Sequence, residues 1–502
     1  MMEHLIASFG NLFTPLPFLF LLTGVVVGVV VGAIPGLSGG MVIALTLPLT
    51  FLMDSTSALI LLVSMYVGST SGGLISATLM RMPGTPAAMM TILDGFPMAK
   101  AGKPGRALGF GIFASFIGGL VSWIFLATLS PPLAEIAVRF GPFEIFSMTL
   151  VALMLISAVS AGSMIKGLLS GMLGIAVSMV GVDQASGSLR LTFGLTDLEA
   201  GFRLLPVILG MLVMSQVITD IVNIAQPIER IQTGFRSMFM SMNDLKKLWF
   251  NLLRSSLIGT WIGVLPGIGG TTAAIASYTT AKNFSKNPEK FGTGTEDGIV
   301  AAETANNAAV NGALVPLITL GIPGSVIDVL LLGALIIHNL TPGPLLFQQS
   351  PEIVYGINAA ALIANIIMFV FMLAATPLIS KLMYVNRAYL MPAIIVFCVI
   401  GAFSQGNRLF DVWVMLGFGI VGYLMQTAKV STGPFVIGYI LAPIAEVQLR
   451  SGLMLYDDSF LPLITRPVSL AFIIIAILTM LWPFLSKSKK PSSDEQIGEL
   501  KK

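Results

Sequence analysis

Apolar stretches long enough to cross a bilayer, about 20 residues, recur along the whole chain and are separated by short polar joints. The pattern predicts two transmembrane halves. The first, residues 1–222, opens with a stretch from Pro17 to Met53 that is interrupted at Pro35-Gly36. A hairpin around 57–93 follows, interrupted at Pro83-Gly84, and then spans near 107–129, 142–160, 164–182 and 204–222. A polar connector, 223–254, leads to the second half, 255–486. That half opens with Ser255 to Ala281, interrupted at Pro266-Gly267, and a hairpin around 298–346, interrupted at Pro323-Gly324. Spans near 352–378, 388–403, 409–427, 432–446 and 460–484 complete it, and 487–502 is a charged tail.

The interruptions are repeated motifs. Gly32-Ala33-Ile34-Pro35-Gly36-Leu37-Ser38-Gly39-Gly40 matches Gly263-Val264-Leu265-Pro266-Gly267-Ile268-Gly269-Gly270, with Pro35 and Pro266 231 residues apart. Gly72 through Met82-Pro83-Gly84-Thr85 matches Gly312 through Ile322-Pro323-Gly324-Ser325, 240 residues later. Pro and Gly are the poorest helix residues. Inside a bilayer a broken helix persists only where protein or a water-filled cavity satisfies its freed backbone groups. Broken elements at corresponding places in two halves point to a transporter's binding site.

Basic residues set membrane orientation. Lys100, Lys103 and Arg106 place the loop after the first hairpin in the cytoplasm. The connector with Arg230, Arg236, Lys246, Lys247 and Arg254, the Lys381/Arg387 loop, and the tail with Lys487, Lys489 and Lys490 belong on the same side. The loop after the second hairpin, His338 to Glu352, has no Lys or Arg and falls outside. Equivalent loops on opposite faces are the mark of an inverted repeat. The expected fold is an all-α polytopic membrane protein: an inverted structural repeat with broken helices, two re-entrant hairpins and about 11 crossings.

Composition sharpens this. The 502 residues are 55% hydrophobic and 10% charged, against about 25% charged in soluble domains. A net charge of +3 gives no argument for nucleic acid, and the single Cys398 excludes an internal disulfide framework. Two histidines far apart, with one cysteine, argue against a zinc site. Scattered methionines read as adaptable packing. No basic n-region opens the chain, so the first apolar run is expected to stay in the mature protein.

The polar residues near the interruptions are the candidate site. Small hydroxyl residues at Ser69, Thr70 and Ser71, beside Gly72, supply hydrogen-bond groups at low volume, as do Ser38, Thr85, Thr271 and Ser325. A broken helix exposes N–H groups that favour anions and carbonyls that favour cations; Gly36, Gly84, Gly267, Gly270 and Gly324 mark the breaks. The alternative is plain small-xxx-small helix packing. In Glu303-Thr304-Ala305-Asn306-Asn307-Ala308-Ala309-Val310-Asn311, residues four apart share a helix face. Asn306, Asn307 and Asn311 can hold a carboxylate or complete a cation's oxygen shell; the alternative is a polar helix start. An ionisable residue at membrane depth is a functional hypothesis. Arg81 is a candidate clamp for a substrate carboxylate, or a residue snorkelling to the interface. Asp328, with Gly39 and Glu303, is a candidate for cation coupling, or a helix cap.

Leu93-Asp94-Gly95-Phe96-Pro97-Met98-Ala99-Lys100, after Met82-Pro83-Gly84-Thr85-Pro86-Ala87-Ala88, resembles the large membrane subunit of tripartite tricarboxylate transporters. So do Ala305-Asn306-Asn307-Ala308, Leu320-Gly321-Ile322-Pro323-Gly324-Ser325 and Thr341-Pro342-Gly343-Pro344-Leu345. The resemblance covers essentially the full chain. It implies a bacterial inner-membrane importer of di- or tricarboxylates or related organic anions, coupled to Na⁺ or H⁺ and using no cofactor. It also implies two partners, a small membrane subunit and a periplasmic solute-binding protein, and an elevator-like motion. Three places depart from the family pattern: Arg81, Gly72-Gly73-Leu74, and Asp328, at a position usually small or uncharged. No Walker A pattern argues for ATP drive. No Ser-His, Asp-Asp or HExxH constellation in the spans argues for an intramembrane enzyme. A stand-alone carrier and a passive channel are the other readings.

Overall fold

The computed structural model describes residues 2–159, 163–183, 186–222, 238–382 and 390–485. Arg230, Arg236, Arg387 and the charged tail lie outside the described residues. Helices account for most of it. The first half holds α1 (Met2–Leu12), α2 (Pro15–Ala33), α3 (Gly39–Thr50), α4 (Ser55–Met80), α5 (Thr91–Lys100), α6 (Pro104–Ala137), α7 (Pro142–Val159) and α8 (Met164–Ser178). α9 (Leu204–Ile208) and α10 (Ser215–Val222) are joined by one π-helical stretch, Leu209–Met214. The second half holds α11 (Met242–Val264), α12 (Gly269–Phe284), α13 (Glu296–Leu320), α14 (Val326–Ile337), α15 (Pro344–Gln349) and α16 (Pro351–Leu382). It closes with α17 (Leu390–Ser404), α18 (Leu409–Thr427), α19 (Thr432–Leu455), α20 (Pro462–Thr465) and α21 (Pro467–Leu485).

Among the described residues, seven helices are long and apolar enough to cross a membrane. Helices dominate because lipid offers no partner for a backbone N–H or C=O, and an α-helix satisfies both internally. The chain is an all-α polytopic membrane protein. The connector expected at 223–254 is helical from Met242 onward. Ser241 caps that helix through a reciprocal pair of bonds with Asp244. Two elements had no counterpart in the expected pattern: α1 and the two-stranded ribbon Gly181–Val182 with Leu189–Arg190. Arg190 ties the ribbon to α19 through a bidentate pair with Glu446, at 2.7 and 3.1 Å.

α4 and α13 are the two inner helices, buried along almost their whole length. Each is about 38 Å long at 1.5 Å per residue, longer than a hydrocarbon layer of about 30 Å. The returning arms of the two expected hairpins, α5 and α14, have only 10 and 12 residues. Glycine brings the outer neighbours close. A methyl group on Gly28 of α2 would stand 2.6 Å from the Met65 carbonyl oxygen of α4, and one on Gly263 of α11 would stand 2.6 Å from the Ala309 oxygen of α13. Backbones approach this closely only where small residues line the contact. Ile124 on α6, Phe397 on α17, Trp413 on α18 and Leu478 on α21 face outward, as a lipid-facing surface requires.

Candidate functional site

Proline sets where each helix stops. α2 ends at Ala33, Ile34 turns extended (φ −84°, ψ 116°), and Gly36 takes φ 88° after Pro35. α11 ends at Val264, Leu265 turns extended (φ −77°, ψ 124°), and Gly267 takes φ 74° after Pro266. A left-handed residue carries no steric penalty when it is glycine. Ser38 then caps α3, accepting from the Met41 N–H at 3.2 Å.

The second pair of breaks forms two tips. α4 ends at Met80 and Arg81 is left-handed at φ 55°; α13 ends at Leu320 and Gly321 is left-handed at φ 70°. The two caps are 240 residues apart, like the two prolines. Beyond the first tip the chain runs into one 3₁₀ turn, Pro86–Met89. Beyond the second it runs straight into α14, where the Ser325 hydroxyl faces the Asp328 N–H at 3.4 Å.

The four breaks meet, each half against the other. A methyl on Gly39 would lie 2.9 Å from Ser69 Cβ and 3.4 Å from Ile327 Cδ1. One on Gly270 would lie 2.9 Å from Asn306 Oδ1 and 3.5 Å from Ala87 Cβ, and one on Gly269 would lie 3.5 Å from Ser325 Cβ. The Tyr66 hydroxyl is 3.1 Å from Ser325 Oγ. Ser71 donates to Asn307 Oδ1 at 2.6 Å.

The candidate residues fall into two groups. Several serve the scaffold. Asn307 accepts from Ser71 and donates to the Glu303 carbonyl at 3.1 Å. Asn311 donates to the Gly119 carbonyl at 2.8 Å and to Ser122 at 3.1 Å. Ser69 donates back to the Tyr66 carbonyl at 3.2 Å, and Gly72 packs its backbone on α2. Thr70 is buried, Gly84 and Gly324 are buried at their tips, and Gly36, Gly267, Gly270 and Thr271 are half-buried. Glu303 is fully buried away from the charged loop that precedes α13, and its carboxylate accepts from the hydroxyls of Thr91 and Ser115.

The second group has polar atoms without partners. Both amide atoms of Asn306, both carboxylate oxygens of Asp328 and the Thr85 hydroxyl are buried and unbonded. Such groups cost about 1–3 kcal/mol each, and each calls for an explanation such as a missing ligand or ion. They sit where the interruptions converge. Arg81 is exposed at the first tip, its guanidinium carbon 5.9 Å from the centre of the Phe96 ring.

Two contributors were missed in the sequence. Asp94 is buried, and accepts from Tyr278 Oη (2.8 Å) and from the N–H groups of Gly292, Gly294 and Thr295 (3.0, 2.8 and 2.8 Å). It anchors the loop that starts α13. Its signal was a lone acid facing a Gly-rich loop far along the chain. Tyr66 was the single ionisable side chain in α4, and that was its signal.

A cavity of about 880 Å³ lies at the Gly321 end of the second tip, between Phe202, Thr341, Pro342, Tyr439 and Gln448. Asn306 and Asp328 do not line it. Between the halves, beside Asn307 and Asn311, only about 10 Å³ is open. Thr85, Asn306 and Asp328 are themselves buried. Among the described residues no three His, Cys, Asp or Glu side chains gather as a metal site would need.

The profile of the tripartite tricarboxylate transporter TctA family matches residues 18–437. A relative from Agrobacterium vitis, described as an uncharacterized 52.8 kDa protein in the TAR-I ttuC' 3' region, is 32% identical over 488 residues, covering 95% of this chain and 96% of its own. A second from the same organism, described as an uncharacterized protein in the TAR-II ttuC' 3' region, is 34% identical over 227 residues, 45% of this chain and 94% of its own. No solved structure matches. A family match over most of the chain, on a bundle of broken and spanning helices, makes this multi-pass membrane protein a member of the tripartite tricarboxylate transporter TctA family.

Proposed function

We propose that this chain is the large permease subunit of a binding-protein-dependent secondary transporter in the bacterial inner membrane. It takes up a di- or tricarboxylate, or a related organic anion, coupled to Na⁺ or H⁺. The observation that carries this reading is the set of buried, unbonded polar atoms on Thr85, Asn306 and Asp328 where helix breaks from both halves converge. Side-chain amides and hydroxyls bind a carboxylate without a permanent charge. Arg81 supplies a bidentate cation at the rim. The coupling ion takes the acidic side, with Asp328, Glu303 and Gly39 as its candidates.

The halves are read as inverted repeats with re-entrant hairpins and about 11 crossings. The matched breaks and the placement of Lys100, Lys103 and Arg106 against the uncharged 338–352 loop support this. Alternating access then follows as an elevator-like movement of the inner helices against the outer ones. Family membership supports two partners, a small membrane subunit and a periplasmic solute-binding protein.

The test has two steps. A ligand screen on the binding protein encoded beside this subunit identifies the acid. Uptake of that acid into proteoliposomes holding all three components is then expected to saturate and to need an ion gradient. Non-saturating flux, independent of any gradient, leaves a passive channel instead. Pull-down from native membranes separates the stand-alone reading, which predicts that no small hydrophobic subunit is recovered.

A further inference from the structure

Asp328 stands apart from the rest of the polar set. It is fully buried, three residues past Ser325, with the hydroxyls of Ser325 and Tyr66 beside its carboxylate but neither oxygen in full hydrogen-bond geometry. Its counterpart 240 residues earlier is Ala88, so the acid is an addition to one tip only. Helix α14 packs on α3, α4, α13 and α19. α3 has no ionisable residue, and α4 offers Tyr66 alone. α13 brings only acids, Glu296, Asp297 and Glu303. α19 has Tyr439, Glu446 and Arg450, and Arg450 is engaged by Glu446 at 2.8 Å and Asp183 at 3.1 Å. No cation from these elements offsets Asp328.

We propose that Asp328 is a proton-binding site that carries the coupling ion through the transport cycle, which rests on the carrier reading above. Leaving an unpaired carboxylate buried costs several kcal/mol, and such groups neutralise by taking up a proton. The start of α14 opposes this with the weaker preference of a helix N-terminus for an anion. Burial wins while the tip is closed. When the tip opens to water the desolvation cost falls away, and the helix end then favours release. In that step the O–H bond of the acid breaks, the electron pair stays on the carboxylate oxygen, and the proton passes to water.

Sodium fits this pocket less well. The neighbouring hydroxyls of Tyr66 and Ser325 are bonded to each other at 3.1 Å, and the helix end presents N–H groups, which repel a cation. Proton and sodium therefore part at this one side chain.

Infrared difference spectroscopy on the full chain in lipid tests the assignment without any organic acid. Near neutral pH the wild type is expected to show a carboxylic-acid C=O band that shifts in D₂O and is lost in Asp328→Asn. Tyr66→Phe is expected to keep the band but move it, since the neighbouring hydroxyl is gone. Titration with Na⁺ at fixed pH is expected to leave the band unchanged. A spectrum identical in wild type and Asp328→Asn overturns the proposal, as does a band removed by Na⁺ or one indifferent to Tyr66→Phe. A chain that transports an organic acid but lacks the band keeps the carrier reading and loses this one. A chain with the band that transports nothing keeps the buried proton site but loses the carrier reading and, with it, the coupling role.

Discussion

The two tips share a backbone and differ in chemistry. Both follow a long inner helix, both begin with a left-handed residue, and both turn at Pro-Gly. At the second tip the left-handed residue is Gly321; at the first it is Arg81, an arginine where a side chain adds strain. The second tip holds Tyr66, Ser325 and the acid Asp328, while the first meets Asn306 and Thr85 with no acid at the matching position, Ala88. The two matched tips thus carry a cation and an amide on one side and an acid on the other. That division suits the pairing of an organic anion with a coupling ion.

The comparison breaks most sharply on orientation. With Cys398 replaced by alanine, a cysteine at exposed Gln348 is expected to label from the periplasm and one at exposed Ala101 is not. Labelling of both from one face ends the inverted arrangement. Next in size is Arg81→Ala, expected to abolish uptake with membrane expression intact; normal uptake rejects Arg81 as an anion ligand.

A third experiment separates ligand from scaffold on one helix. Asn306 makes no hydrogen bond, so Asn306→Ala is expected to leave the melting temperature near wild type while lowering uptake kcat/KM by about 10–100-fold, the loss of one buried polar contact. Asn311→Ala removes bonds to Gly119 and Ser122 and is expected to lower stability by about 1–2 kcal/mol. If Asn306→Ala lowers the melting temperature and leaves uptake kcat/KM at the wild-type value, the assignment is reversed. The smallest effect concerns the caps. Gly321→Ala is expected to destabilise by about 1–2 kcal/mol and Arg81→Gly to stabilise by a similar amount, read by thermal unfolding in detergent. Equal and negligible shifts mean that the two caps are not strained alike.

The breaks were legible because proline and glycine act locally. Pro35, Pro83, Pro266 and Pro323 each remove a donor from an apolar run, and each lies between helices in the fold. Asn306, Asn307 and Asn311 were equally visible as polar residues in an apolar stretch, but their roles were not. Asn307 and Asn311 share a face at four-residue spacing, and both are bonded to the first half, Asn307 Oδ1 to Ser71 and Asn311 Nδ2 to Gly119 on α6. Asn306, one position away, points at Gly270 and stays unbonded. Periodicity gives a side chain's direction on its helix and says nothing of what waits there. Glu303 makes the same point: near the loop in sequence, it is buried against Thr91 and Ser115.

By itself the sequence determined that this chain lives in a bilayer, where its helices break, and that the breaks come in matched pairs, because hydrophobic length and backbone propensity are properties of short segments. Only the tertiary structure decided which polar groups are spent on holding the halves together and which are left open at their meeting point. Hydrogen bonds between residues some two hundred positions apart depend on how helices pack, and no local pattern encodes that.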